Sequence, residues 1–586
     1  MSRLPRPDIS RDGEALRSNQ FGDIYYQEAD GLAETRHVFL DGNDLPERFA
    51  RHAGTRPFII GELGFGTGLN LLAAAHLFEE VAPSEARLHF WSAEGFPLDP
   101  EELGGILSAI TTRWPELGDW AERLARAYPR PRPGQVQIDL SDRVRLTLGF
   151  GPATEVLSET DFHADAWFLD GFSPAQNPEM WSEDLLHLAA THTRPGGSFA
   201  TFTVAGAVRR SLEAAGFTLA RRQGFGRKRE MLTGRMPGDE TSAAPQIRKL
   251  TIIGAGIAGA CAAFEARRAG LDVEIIDRES PGAGASGNPA GLLMPRLEAQ
   301  DNPAARFYRD AFLFARRFYG DHSPDALLAF GGAMQGETER YHRVLETGLW
   351  PDGELHLEAD RLLAGAAALL SPRDAIAALI EGCSFRQGQV EAIDQSSEHI
   401  TLTLRDGTVE SDAVLVSAGP RSAKLAGFEE DMSASRGQVD IFAGPAPPHI
   451  LTEGTYIAPL DSLLIAGATY DPAQADDVPE PDEASSAANR VAAEALLHRP
   501  AGNWISARAS LRATTRDRHP IAGELDESGR VFALTGLGSR GLVTAPILAR
   551  HLIARMTGDV SPLSLPISCF AAPGRFAERR RRRGQS

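Results

Sequence analysis

Two glycine-rich turns carry most of the chemistry written in this chain. The first, Glu62-Leu63-Gly64-Phe65-Gly66-Thr67-Gly68, follows the apolar run at 58–60. Glycine lets a backbone turn tightly and come close to a ligand. The helix expected next starts with free N–H groups. The second turn, Gly254-Ala255-Gly256-Ile257-Ala258-Gly259, follows the run at 250–253. Its G-x-G-x-x-G spacing seats a pyrophosphate on a helix N-terminus, and Asp277 closes the next run where a ribose-binding acid belongs. The first turn is spaced G-x-G-x-G, with Glu62 inside it and Glu94 closing the run at 88–93. A third acid, Asp170, ends the run at 166–169 and opens a Gly/Pro turn. A carboxylate at the carboxyl end of a strand can orient an amine or accept its proton. It can equally cap the turn. Phe172 and Trp181 nearby can stack a base or fill a core.

The elements that must position these groups read as two α/β units. Apolar runs at 58–60, 88–93, 144–148, 166–169 and 198–203 alternate with helical stretches, which is the doubly wound pattern. A second β-α-β opens at 250–277, with further strand-like runs at 400–404, 413–417, 463–467 and 531–535. The expected architecture is therefore a Rossmann-like domain over 1–235, a linker over 236–248 and a second Rossmann core over 249–570. An antiparallel substrate region is inserted in that core, and 571–586 form a basic, disordered tail. The linker reads Met236-Pro237-Gly238-Asp239-Glu240-Thr241-Ser242-Ala243-Ala244-Pro245-Gln246, polar and without periodicity.

Composition narrows the class. At 586 residues, 42% hydrophobic and 24% charged, the chain is long and apolar enough for several packed domains. Cys261, Cys383 and Cys569 form no C-x-x-C pair, so no metal ribbon or disulfide framework is expected. The N-terminus lacks a signal-like apolar stretch, and no run approaches a membrane span, so a cytoplasmic protein is expected. A net charge of −19 argues against a broadly basic nucleic-acid surface. Arginine clusters near 205–235 and 575–583 leave room for a confined one.

Three segments carry a resemblance. The G-x-G-x-G turn with Glu94 looks like the S-adenosylmethionine site of class I methyltransferases. Gly171-Phe172-Ser173-Pro174-Ala175-Gln176-Asn177-Pro178-Glu179-Met180-Trp181 and Gly224-Phe225-Gly226-Arg227-Lys228-Arg229-Glu230-Met231-Leu232 resemble the methyltransferase half of the bifunctional tRNA enzymes that make 5-methylaminomethyl-2-thiouridine at the wobble position. The resemblance implies Glu62, Gly64, Gly66, Gly68 and Glu94 as S-adenosylmethionine-binding residues, and Asp170 as the acceptor-side acid. One departure stands out. Where the family has Gly-Asp after the run at 144–148, this chain reads Gly149-Phe150-Gly151-Pro152, so the adenine-side acid has no counterpart there.

The second half is similar to glycine oxidase-like and sarcosine oxidase-like flavoenzymes, and to the oxidase half of the same tRNA enzymes. Gly254, Gly256, Gly259, Asp277, Ser286 and Gly287 would hold FAD, and Gly538, Ser539, Arg540 and Gly541 would close over the flavin, with the next helix's dipole favouring its reduced anion. Tyr456-Ile457-Ala458-Pro459 and Arg512-Ala513-Thr514-Thr515-Arg516-Asp517 match the substrate segments, which implies Arg512 as a fork for a carboxylate and Tyr456 as a shaping or donating residue. The expected function joins the halves. The oxidase removes the carboxymethyl group of a carboxymethylaminomethyl wobble uridine, the methyltransferase methylates the amine left behind, and tRNA is the partner. A free amino-acid oxidase fused to a small-molecule N-methyltransferase is the alternative. A tRNA-binding module with inactive cofactor folds is a second one.

Overall fold

The computed structural model describes residues 4–12, 15–24, 31–226, 228–239, 247–396 and 399–582. They divide into two compact units. Unit 1 takes the chain up to 246 together with Thr557–Leu565, and unit 2 takes Ile247–Met556 and the residues from Pro566 onward. Most of the sequence linker, 240–246, lies outside the described residues, as do Arg227 and Arg583.

Unit 1 is built on an eight-stranded sheet. Its strands are β1 (Phe58–Leu63), β2 (Leu88–Glu94), β3 (Gly134–Asp139), β4 (Val144–Phe150), β5 (Ala164–Phe168), β6 (Thr193–Thr201), β7 (Thr218–Gln223) and β8 (Glu230–Arg235). The order is β7-β8-β6-β5-β1-β2-β4-β3. The central pairs β1–β2, β1–β5, β2–β4 and β5–β6 are parallel. Every residue of β1 and β5 is buried, as expected of parallel strands covered on both faces. Helix α1 (Leu69–Val81) follows β1 and is rich in Leu and Ala, the strong helix formers. Its N-cap is Gly68 at φ +78°.

The sequence does not announce the return of Thr557–Leu565 to unit 1. Asp559 sits buried in that segment against His89 of β2, with which it hydrogen-bonds, and Arg145 of β4 reaches its other oxygen at 3.1 Å. Gln137 donates to the Val560 carbonyl at 3.0 Å. Burial raises the Asp559 carboxyl, but the neighbouring His89 and Arg145 outweigh it and hold the group below the ordinary carboxylate range. The contribution is therefore complete above the unfolded value near ~4 and fades as pH falls below it. Asp559→Asn is expected to destabilise unit 1 by about 1–3 kcal/mol, because His89 and Arg145 lose the buried anion they share while Arg145 keeps Asp139 at 2.8 Å. Chemical denaturation followed by unit 1 tryptophan emission at neutral pH checks this. An unshifted transition would contradict it.

Unit 2 opens with β9 (Lys249–Ile253), α2 (Ile257–Arg268) and β10 (Asp272–Asp277), joined in one sheet by β11 (Ser384–Gln387) and β12 (Ala413–Val416). A ten-stranded, mostly antiparallel sheet includes β13 (Met432–Ala443), β14 (Thr455–Leu460), β15 (Leu463–Gly467) and β16 (Asn503–Thr515). The chain then returns to the first sheet with β17 (Ile521–Glu524) and β18 (Val531–Thr535), followed by α3 (Gly541–Thr557). The Rossmann-core order is β11-β10-β9-β12-β18-β17. This is the architecture expected from the sequence.

The basic tail differs from its expectation. Residues Arg575–Arg582 form a helix, α4. Arg575 is buried and grips Asp517 at 2.9 Å, Arg579 reaches the same carboxylate at 2.6 Å, and Arg580 reaches Asp431 at 2.7 Å. Those acids order the segment and occupy charges that the sequence alone leaves open for phosphates. Part of the earlier cluster is similarly engaged: Arg222 and Arg235 pair with Asp44, and Arg221 with Glu230.

Candidate active sites

In unit 1 the carboxyl ends of β1, β2 and β5 open into a cavity of about 840 Å³ that Gly64, Gly66, Glu94 and Asp170 line. Gly64 stands at φ +99°, and a Cβ there would lie 3.0 Å from the Asp170 carbonyl, so the turn admits no side chain without strain. Glu94 accepts from Gly66 N–H at 2.9 Å through one oxygen and from Phe96 N–H at 2.7 Å through the other. The two carboxylate oxygens, at the cavity wall, are acceptors of the kind a vicinal diol such as ribose requires. The donor set and the bare turn therefore fit S-adenosylmethionine. Where the family acid is missing, Pro152, Ala153 and Thr154 border the cavity, and Thr154 carries the stretch's side-chain hydroxyl.

Glu62 and Gly68 stand apart from this lining. Glu62 is buried, its carboxyl pushed up by burial, and it accepts from Ser92 at 2.7 Å and Asn70 at 3.0 Å. Asn70 is the residue that sequence reasoning missed. Its amide also donates to Asp170 at 2.8 Å, and its carbonyl accepts from Thr35 at 2.9 Å. One side chain thus ties the first acid of the glycine turn to Asp170 and fixes its orientation. An asparagine within the otherwise apolar first half of the helix, Leu69 to Ala75, is the signal that could have found it. Burial pushes Asp170 up to about 6, against the Asn70 hydrogen bond, so the carboxyl can exchange a proton near neutral pH. Phe172 stacks on Phe21 with centroids 4.9 Å apart. Trp181 is buried core and donates to the Phe172 carbonyl, which leaves it unsuited to stacking a base.

In unit 2 a cavity of about 950 Å³ runs from the β9–α2 turn to β14 and β16. Gly254 stands at φ +111°, and a Cβ would meet the Ser417 carbonyl oxygen at 2.5 Å. Gly259 faces the Gly254 carbonyl, not the cavity: a Cβ there would sit 1.9 Å from that oxygen, so its role is close helix–strand packing. Asp277 mirrors Glu94, with one oxygen accepting from Ala255 N–H at 2.7 Å and the other from Glu279 N–H at 3.0 Å. Ser286 accepts from Ile257 N–H at 3.0 Å. Gly287 packs under Arg508, which clamps the loop by donating to the Ala283 and Gly284 carbonyls and to Asn288. Gly538, Ser539, Arg540 and Gly541 line the cavity, and α3 starts at Gly541, so its first turn borders the space. The glycine cradle, the ribose-type acid and the exposed helix start fit FAD.

Arg512 and Tyr456 meet in this cavity. Arg512 is 7% exposed. Its guanidinium donates to the Thr469 carbonyl at 3.1 Å and lies 4.6 Å from the ring centre of Tyr470. Among the described residues no carboxylate pairs with it. A buried cation without an anion is costly, and a cavity-facing one is poised to receive an anionic ligand. Its seat is Gly437 of β13, where a Cβ would lie within 2.4 Å of three guanidinium atoms. A glycine inside a strand marks such close approach. Gly437→Ala is expected to displace the guanidinium and raise the KM of the oxidase roughly tenfold while leaving methylation unchanged. Steady-state kinetics of both half-reactions check it, and an unaltered oxidase KM would contradict it. Burial pushes Tyr456 up to about 12, so its phenol stays a donor throughout the physiological range.

Residues 115–237 match a family of S-adenosyl-L-methionine-dependent methyltransferases, and 249–555 match the FAD dependent oxidoreductases. The chain is 40% identical to the tRNA 5-methylaminomethyl-2-thiouridine biosynthesis bifunctional protein MnmC of Caulobacter vibrioides, over 98% of each chain. It is 37% identical to the protein of that name from Chromohalobacter salexigens, over 97% of this chain and 91% of the relative. The chain belongs to this bifunctional family. It is an enzyme with two activities, a methyltransferase using S-adenosylmethionine and an FAD-dependent oxidoreductase, in tRNA wobble-uridine modification. The small-molecule alternative finds no support, because the family match runs through both halves. Glycine oxidase from Geobacillus kaustophilus is a similar solved structure, 20% identical over 53% of this chain and 95% of its own, with a TM-score of 0.46. Among the described residues no helix is long and apolar enough to cross a membrane.

Proposed function

We propose that unit 2 converts the 5-carboxymethylaminomethyl group of a (2-thio)uridine at the tRNA wobble position to 5-aminomethyl, and that unit 1 methylates that amine to give 5-methylaminomethyl. The observation that carries the first step is Arg512, a buried guanidinium without a carboxylate partner in the FAD-type cavity. It forks onto the substrate carboxylate, with Tyr456 donating beside it, and so presents the methylene between carboxylate and nitrogen. When bound, FAD supplies the acceptor for the two electrons and the hydrogen of that C–H bond, and S-adenosylmethionine supplies the methyl group. The substrate imine left by loss of C–H and N–H takes up water and splits into the aminomethyl uridine and glyoxylate. In unit 1, Asp170, oriented by Asn70, accepts the proton that the amine must lose before its lone pair is free. Glu94 and the Gly64–Gly66 turn hold the methyl donor. A tRNA substrate supports a cytoplasmic enzyme.

The test is conversion of tRNA carrying carboxymethylaminomethyl uridine by the purified holoenzyme, with nucleosides resolved by mass spectrometry. Without S-adenosylmethionine the aminomethyl nucleoside should accumulate together with glyoxylate, and with it the methylated nucleoside should appear. Unchanged nucleosides would overturn the reading. Carrying both units on one chain raises the local concentration of the intermediate for the second step.

A further inference from the structure

Tyr470 is placed oddly for a residue of a small-molecule oxidase. Of the large apolar side chains that stay exposed among the described residues, it is the one that lines the unit 2 cavity, and it remains 59% exposed. It is also tied to the substrate-binding cation. The residue before it, Thr469, accepts from Arg512 through its carbonyl, and the Arg512 guanidinium lies 4.6 Å from the Tyr470 ring centre. The ring is thus a flat surface at the cavity mouth, backed by a guanidinium and open to a partner. Aromatic rings in this setting hold nucleobases by stacking, with tolerance for the base's identity.

The substrate's dimensions agree. From the carboxylate carbon, through methylene, nitrogen and second methylene, to the uracil ring carbon is four bonds, about 5 Å when extended at ordinary bond lengths. A base whose carboxylate is forked by Arg512 therefore has its ring within stacking reach of the aromatic side chain beside that same arginine. A free amino acid has nothing to place there.

We propose that Tyr470 is the platform on which the wobble base is stacked while its carboxymethyl arm reaches Arg512, so that this ring sets the preference for a nucleobase-borne amine. The proposal rests on the reading that Arg512 receives the carboxylate. The ring belongs at the site of binding, not at the reacting atoms, so its removal weakens substrate capture and leaves the bound substrate's reactivity in place.

The experiment compares full-chain, FAD-loaded wild type, Tyr470→Ala, Tyr470→Phe and Arg512→Ala on tRNA carrying carboxymethylaminomethyl uridine. KM and kcat are measured for carboxymethyl removal. The anaerobic Kd is measured for that tRNA and for the same transcript with plain uridine at the wobble position. Tyr470→Ala is expected to raise KM and the modified-tRNA Kd roughly tenfold, with kcat within about threefold and methylation of aminomethyl tRNA unchanged. Tyr470→Phe, which keeps the ring, is expected to stay within about twofold of wild type. A wild-type enzyme that does not convert this tRNA, or an Arg512→Ala variant that converts it normally, removes the underlying reading. If wild type converts the tRNA and Arg512→Ala does not, an unchanged KM in Tyr470→Ala overturns the stacking proposal alone. So does a Tyr470→Phe variant as impaired as Tyr470→Ala, or a Tyr470→Ala defect confined to kcat.

Discussion

Arg512→Ala is expected to lower kcat/KM for carboxymethyl removal by about 10²–10⁴, while the same protein still methylates aminomethyl tRNA at the wild-type rate. The size follows from the cost of leaving one member of a buried, hydrogen-bonded charge pair unmatched, about 3–5 kcal/mol. On the proposed reading the substrate carboxylate completes the pair in the wild type; in the variant it enters a cavity that keeps Arg296 and Arg540 in its lining but has lost the fork beside Tyr456. The sparing of methylation follows from the unit boundaries: Arg512 belongs to unit 2, and Glu94, Asn70 and Asp170 belong to unit 1. Quantifying glyoxylate and the methylated nucleoside in parallel reads both halves. Loss of both activities in a folded, FAD-containing variant would contradict separate sites. Lysine at 512 would keep the charge but lose the fork, and is expected to recover only part of the activity.

The second large effect is at Asp170. Asp170→Asn keeps the acceptor for the Asn70 amide at nearly the same shape but cannot take a proton. Loss of a positioned general base costs about 10²–10⁴ in rate, so single-turnover methylation is expected to fall within that range while carboxymethyl removal is unaffected. The pH dependence has a definite sign. Burial raises the Asp170 carboxyl to about 6, and the working form is the ionised one, so activity is lost as pH falls through that value. The substrate amine loses its own reactive form on the acid side as well. Wild-type methylation should therefore steepen below about pH 6, and that added limb should be missing in Asp170→Asn. A variant with the wild-type rate, or one that keeps the added limb, would remove Asp170 from the mechanism.

The cofactor-type residues are the ones that the sequence exposes, because their spacing is local. Gly64, Gly66 and Glu94, or Gly254, Gly256 and Asp277, lie one strand–turn–helix–strand apart, and that short path forces them to the same end of a parallel sheet. The residues that sharpen the sites have no such path. Asn70 matters because its amide reaches Glu62 and Asp170 at once, a bridge between neighbouring strands whose adjacency appears only in the folded sheet. Gly437 matters because β13 pairs with β16 in a register that sets it under Arg512. In the sequence it is one glycine among 58.

Charge shows the same division. A count of arginines near the C-terminus reads as an open basic tail. The structure instead gives Arg575, Arg579 and Arg580 to Asp517 and Asp431, acids from a distant stretch of chain. Asp559, an unremarkable residue after a long helix, turns out to be a buried partner of His89 and Arg145. The sequence alone determined two cofactor-binding folds, their order and the family, because glycine spacing and strand-end acids are set over a few tens of residues. Only the tertiary structure decided which acids face a cavity, that Arg512 is buried in one with no carboxylate partner among the described residues, and which segment completes unit 1. Burial and long-range pairing depend on contacts between residues hundreds of positions apart, and no local pattern encodes them.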